Sequence, residues 1–189
     1  MTIRIQAGEF RGRLLKTPKN SHVRPTTSIV KKSFFDICKE IVDGARFLDL
    51  FAGSGAVGIE ALSRGASHGT FVDSERSSIV CIEENLRTLK VEEKGTLLRG
   101  EVLPTLRRLE EQKKEYDLIY IDPPYGEEEH HFELLSFLDA SALARRAYIF
   151  IEESSSSRWT KEKIPLTHHL LKDVRRFGRS ALFQYIPKI

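Results

Sequence analysis

From residue 46 onward, short apolar runs alternate with longer amphipathic stretches. Residues 46–51 (RFLDLF) are almost continuously apolar and stop at a Gly-rich turn, which predicts a buried strand. Residues 56–64 then place Val57, Ile59 and Leu62 at helical spacing. Residues 70–73 (TFVD) predict a second strand that ends on an acid. Residues 75–89 predict a helix with Ile79, Ile82, Leu86 and Leu89 on one stripe. A third strand follows at 96–99 (TLLR), then an amphipathic helix over 103–114 that can start around Pro104. Residues 117–121 (DLIYI) form a fourth strand, halted by Asp122-Pro123-Pro124. A helix over 128–138 and a fifth strand over 147–152 (AYIFIE) come next. The serine run 154–157 reads as a loop. Two late runs, 169–174 and 181–186, flank Gly178 and predict a closing antiparallel pair.

Alternation of this length predicts an α/β fold, a doubly wound and mostly parallel sheet with helices on both faces. Ligands of such sheets sit at the carboxyl ends of the strands, near the point where strand order reverses. Three features fall at strand ends here: the Gly-rich turn, Asp73 and the Pro-Pro turn.

Composition narrows the class. With 189 residues, 40% hydrophobic and 30% charged, the chain suits one soluble domain with a modest extension. No apolar run approaches the roughly 20 residues of a membrane helix, and the polar, basic N-terminus lacks the apolar core of a secretory signal. Cys38 and Cys81 have no partners at metal spacing, so they read as buried small hydrophobes in a reducing cytoplasm. Charge is unevenly spread. Residues 1–32 carry a net +7, residues 33–157 a net −10 and residues 158–189 a net +6. An acidic body between two basic ends points to a polyanionic partner.

Residues 49–58 (DLFAGSGAVG) hold a G-x-G-x-x-G that follows a strand and opens a helix, which alone also suits a dinucleotide. Asp49 argues otherwise, because a carboxylate there is awkward beside a pyrophosphate and suits a cationic ligand such as S-adenosylmethionine. Asp73 can accept both hydrogen bonds of a ribose diol, and Glu75 reads as a first-turn acid favoured by the helix dipole. Gly100-Glu101-Val102, after the third strand, is where an adenine edge would be met.

Asp122-Pro123-Pro124-Tyr125 is the sharpest signal. Two prolines remove two backbone donors and stiffen the turn. Its carbonyls and the Asp122 carboxylate can accept from an exocyclic amine while Tyr125 stacks on the ring that bears it. There is no G-x-x-x-x-G-K-[ST] loop and no G-x-S-x-G elbow. His130-His131 and His168-His169 are adjacent pairs that do not converge on one ligand and read as surface residues. Trp159 reads as a packing residue.

Together, residues 49–58, Asp73 and residues 122–125 resemble a class I, Rossmann-like S-adenosylmethionine-dependent methyltransferase acting on an exocyclic amine. Residues 8–15 (GEFRGRLL), 24–27 (RPTT), 51–58 and 60–66 (EALSRGA) further resemble the RsmD family, which methylates a guanine N2 in bacterial small-subunit (16S) rRNA. The resemblance implies a seven-stranded sheet with an antiparallel C-terminal end. It also implies an N-terminal basic extension (residues 1–45) that meets RNA through a hairpin and a linker helix, ahead of a catalytic domain (residues 46–189). Asp49, Ala52, Gly53, Ser54 and Gly55 fall on the cofactor loop, Asp73 on the ribose-binding acid, and Asp122, Pro123, Pro124 and Tyr125 on the amine-holding motif. Glu101 departs from the family's usual Asp or Asn, although the Val102 amide can still serve the adenine. Arg11, Arg13, Arg24 and Thr26 are the expected RNA contacts. The implied partner is 16S rRNA in an assembling subunit, met by a cytoplasmic monomer without metal or membrane. The same Asp-Pro-Pro-Tyr chemistry also fits adenine N6 of RNA or DNA, or a protein glutamine amide.

Overall fold

A computed structural model describes residues 2–18, 28–123, 128–155 and 165–188. An antiparallel hairpin opens the chain, β1 (Thr2–Arg4) with β2 (Leu14–Lys16). Helix α1 (Ser28–Ile37) precedes the alternating core: β3 (Arg46–Leu50), α2 (Ala56–Ser63), β4 (His68–Asp73), α3 (Arg76–Leu89), β5 (Gly95–Arg99), α4 (Val102–Glu111), β6 (Leu118–Ile121), α5 (Glu128–Ala140) and β7 (Tyr148–Ser154). Strands β8 (His169–Phe177) and β9 (Ser180–Pro187) close the chain.

The seven-stranded sheet has the order β5-β4-β3-β6-β7-β9-β8. Strands β3 to β7 pair in parallel, and β9 runs against both β7 and β8. Strand order reverses between β3 and β6, so the carboxyl ends of these neighbours form the switch-point crevice. Every residue of β6 is buried, as expected of a central parallel strand covered on both faces. One apolar cluster lies under α1, α2 and α3, and includes Phe34, Phe47, Ile59, Phe71, Ile82 and Phe150. The other lies under α4 and α5, with Leu48, Leu106, Ile119, Leu135 and Ile149.

The predicted elements are present, with displaced ends. Helix α4 begins at Val102, two residues ahead of Pro104. Pro104 is tolerated there because first-turn N–H groups have no intrahelical acceptor. Strand β8 runs to Phe177, three residues past the predicted end, and a bulge between Leu171 and Asp173 keeps it in register with β9.

The N-terminal hairpin is packed into the body. Ile5, Phe10 and Leu15 are buried in the α1–α3 cluster, each contributing about 1.5–3 kcal/mol if fully withdrawn from water. The turn is pinned at Ser63, which accepts from Glu9 N–H through its carbonyl and from Phe10 N–H through its hydroxyl. Gly8 has φ +83°, and a Cβ there would lie 1.8 Å from the Ser63 carbonyl oxygen. Glu60, fully buried on α2, collects three elements. It pairs with Lys31 of α1 at 2.7 Å and Arg64 at 2.8 Å, and accepts from Gln6 N–H. Among the described residues no helix is long and apolar enough to cross a membrane.

Candidate active site

The chain leaves β3 through a strained turn. Phe51 takes φ 60°, Gly53 φ 56° and Gly55 φ 72°, left-handed conformations that glycine adopts at no cost. Gly58 answers a different need, since a Cβ there would lie 2.4 Å from the Phe71 ring and 2.9 Å from Asp49 Oδ2. The missing side chain lets Gly58 N–H donate to that oxygen at 2.9 Å. Helix α2 is thereby anchored on the carboxylate of the strand before it.

Asp49 is 2% exposed. Burial pushes its carboxyl up to about 8, the Gly58 N–H holds it back only in part, and the neighbouring Asp73 pushes the same way as burial. A carboxylate kept out of water beside a second acid gains most from a cation placed near it.

Asp73 ends β4 and is also buried. Its Oδ2 accepts from Gly53 N–H and its Oδ1 from Glu75 N–H, both at 2.8 Å. Asp73 thus fixes the height of the glycine loop across the β3–β4 gap and shapes the start of α3. Glu75 is the cap residue of α3 and makes no side-chain cap bond. Ala52 is tied to β4 by its N–H on the Val72 carbonyl, and the Ser54 carbonyl accepts from Asn85. Glu101 is exposed at the start of α4 with no capping bond, whereas Val102 is buried in the α4–α5 cluster.

Asp122 follows β6, directly across the crevice. Its N–H donates to the Leu50 carbonyl at 3.3 Å, extending the β3–β6 ladder by one bond, and the next residue, Pro123, is buried. Pro124 and Tyr125 lie outside the described residues, as do Arg24 and Thr26.

Two further polar groups on the neighbouring strand ends were not found in the sequence. Tyr120, two residues before Asp122 on β6, donates its hydroxyl to Glu152 Oε2 of β7 at 2.9 Å. Burial raises the Glu152 carboxyl, and hydrogen bonds from Tyr120 and Ser180 oppose the rise. The Tyr120 hydroxyl is held well above its ordinary range, first by burial and then by Glu152, Asp122 and Asp49. Four carboxylates, Asp49, Asp73, Asp122 and Glu152, therefore stand along the carboxyl ends of four adjacent strands. Alternation on parallel neighbours is the one sequence signal for Glu152: Ile121 pairs with Ile151, so the residues that follow each end up side by side.

The structure separates two of the candidate RNA contacts, Arg11 and Arg13, from this crevice. Arg11 lies in the turn pinned at Ser63, and Arg13 donates to the Thr88 carbonyl near the end of α3. Both α2 and α3 have by then returned to the amino ends of the strands. Two histidines read as surface residues are instead buried. His131 of α5 pairs with Glu153. His169 Nδ1 lies 3.0 Å from Asp139 Oδ1, with Nε2 3.2 Å from the Ala147 carbonyl. Adjacent residues on a strand or helix face different ways, so one member of each pair meets the interior. Among the described residues no group of His, Cys, Asp or Glu is placed to hold a metal ion.

Comparison with known proteins gives a concordant picture. The family model described as Conserved hypothetical protein 95 matches residues 3–186. A relative from Escherichia coli K12 named Ribosomal RNA small subunit methyltransferase D is 34% identical over 152 residues, covering 79% of this chain and 74% of that protein. The solved structure of a hypothetical protein from Thermus thermophilus superposes with a TM-score of 0.79 at 28% identity, over 96% of this chain and 98% of that one. A SAM-dependent methyltransferase from Agrobacterium tumefaciens shares the fold at 17% identity and TM-score 0.62, over 90% of this chain and 64% of that one.

Proposed function

The chain belongs to the family described as Conserved hypothetical protein 95, and from that premise we propose that it transfers a methyl group from S-adenosylmethionine to the exocyclic N2 amine of a guanine in bacterial small-subunit (16S) rRNA. One observation carries this reading. A cation-seeking buried carboxylate, Asp49, stands under a glycine loop, and across the switch point Asp122 and Pro123 stand where an amine acceptor would enter. A dinucleotide reading leaves both unexplained. The name carried by the Escherichia coli relative supports rRNA as the acceptor.

The residues fit the cofactor in their chemistry. Asp49 offers charge compensation to a ligand bearing ammonium and sulfonium groups, and Ala52, Gly53, Ser54 and Gly55 bring the main chain within reach. Asp73 keeps lone pairs for a ribose diol beyond the two backbone donors it already accepts. The Val102 amide would serve the edge of an adenine, with the exposed Glu101 beside it. When bound, S-adenosylmethionine supplies the electrophilic methyl group, so no enzyme nucleophile is required.

Asp122 then accepts from the guanine amine and orients its lone pair. The nitrogen gains positive charge as it is alkylated, so the carboxylate stabilises the transition state more than the ground state. A proline carbonyl of the Asp122-Pro123-Pro124 turn would accept the second N–H, and Tyr125 would stack on the ring. A paired guanine hides this amine in the shallow groove, so the base must be unpaired or swung out to be reached.

Residues 1–45 serve as an RNA-contacting extension, with Arg11, Arg13, Arg24 and Thr26 on phosphates, and residues 46–189 as the catalytic domain. The protein acts as a cytoplasmic monomer on rRNA within an assembling subunit. The test is incubation of the purified protein with methyl-labelled S-adenosylmethionine and small subunits from cells lacking it, followed by digestion of the rRNA to nucleosides. Label in N2-methylguanosine is the expected result. Label in N6-methyladenosine or in ribosomal protein would overturn the assignment.

A further inference from the structure

The acidic crevice repels the phosphates on either side of any base that enters it, so cations must stand nearby on its rim. Arg11 and Arg13 do not meet this need, being held at the amino ends of the strands by Ser63 and Thr88. The second basic region behaves differently. Strand β8 runs parallel to β7, and the chain turns at Gly178 to send β9 back between them. That turn therefore lies at the carboxyl end of the sheet. It is fixed there by Ser155, whose N–H donates to the Arg179 carbonyl at 2.8 Å and whose hydroxyl donates to the Gly178 carbonyl at 2.7 Å.

Arg175, Arg176 and Arg179 are exposed around this turn. Arg175 is partly neutralised by Asp173 at 3.0 Å and leans on Ser33 of α1. Among the described residues neither Arg176 nor Arg179 is paired with a carboxylate. Leu182 of β9 pairs with Glu152 on one side and Arg175 on the other, and Ala181 likewise joins Glu153 to Arg176, so Arg176 lies one residue beyond the level of Glu152 towards the turn that carries Arg179. At about 4.8 Å per strand, β9 lies roughly 10 Å and β8 roughly 14 Å from β6 and Asp122. A span of roughly 10–14 Å puts the turn within reach of the nucleotides next to a captured base.

We propose that the β8–β9 turn is a phosphate-binding rim, with Arg176 and Arg179 gripping the RNA strand next to the target guanine. The proposal rests on the function above and adds a contact surface on the Asp122 flank of the crevice. Charged residues on an edge strand also deter sheet-to-sheet pairing. That role accounts for Lys172, Arg175 and Arg176 within β8, but not for Arg179, which lies in the turn beyond the edge.

The test compares wild type, Arg176→Gln/Arg179→Gln and Arg176→Lys/Arg179→Lys in the full chain, with rRNA and small subunits from cells lacking the protein. The Gln pair should raise KM for the RNA about tenfold and reduce the slope of log affinity against log salt by about 1.4, two contacts at about 0.7 each. The Lys pair should keep the slope. Cofactor affinity, read by calorimetry, should stay at the wild-type value in both. Active wild type with an unchanged KM and slope in the Gln pair would overturn the rim. Wild type that methylates no rRNA would refute the function and the rim with it.

Discussion

Asp49→Asn is the substitution whose consequence follows most directly from the structure. The amide is nearly isosteric and keeps an oxygen to accept from Gly58 N–H, so the loop geometry should survive. The wild-type carboxyl, ordinarily near 3.8, is pushed up to about 8 by burial, with Gly58 opposing and Asp73 reinforcing. Between those two values the folded protein holds a proton that the unfolded chain has released. Stability of the ligand-free protein therefore falls as pH rises from about 4 to about 8, by up to about 1.4 kcal/mol per pH unit from this one group. Asn does not titrate, so the variant gains on wild type across that window and is the more stable protein at pH 8. Even a single unit of this effect, about 1.4 kcal/mol, moves Tm by roughly 3–6 °C. A cationic ligand binds the ionised form, so S-adenosylmethionine affinity should climb about tenfold per pH unit toward pH 8 in wild type and stay flat, and weaker at pH 8, in Asp49→Asn. The assay is thermal unfolding with and without S-adenosylmethionine from pH 5 to pH 9. Parallel Tm curves for the two proteins without ligand would refute the reasoning.

Further outcomes are expected at four residues. Asp122→Ala should lower kcat by about 10²–10³, the scale of losing one electrostatic stabiliser, with cofactor affinity nearly unchanged by calorimetry; Tyr125→Phe should keep most activity and Tyr125→Ala should not. Asp73→Ala should weaken cofactor binding by about 1.5–3 kcal/mol and also loosen the loop, because Gly53 and Glu75 lose their acceptor; faster amide exchange at Gly53 would register the second effect. Gly8→Ala should destabilise the fold by more than about 1 kcal/mol in chemical denaturation, since the new Cβ cannot coexist with the Ser63 carbonyl at φ +83°.

The inner parallel strands β3, β4, β6 and β7 were legible because each buries both faces and reads as an apolar run, β6 above all. The candidate acids were legible because they stand at the carboxyl ends of strands, as Asp49, Asp73 and Asp122 do. What escaped depends on long-range partners. His131 and His169 are buried because Glu153 and Asp139 arrive from other elements to meet them, and nothing near either histidine in sequence announces that. Glu152 hides at the end of an apolar run, and only the pairing of β7 with β6 brings it beside Tyr120. The position of the arginines was equally illegible. Two basic termini look alike in charge, yet Ser63 holds one turn at the amino ends of the strands while Ser155 holds the other at the carboxyl ends.

The central claim is that methyl transfer to a guanine amine of 16S rRNA is done at Asp122. It is tested most directly in cells lacking the protein, by mass mapping of modified nucleosides along the rRNA. One N2-methylguanosine should be missing, should return with the wild-type gene, and should stay missing with Asp122→Ala expressed at the same level. A modification map identical to that of the parent cells, or one restored in full by Asp122→Ala, would contradict the account.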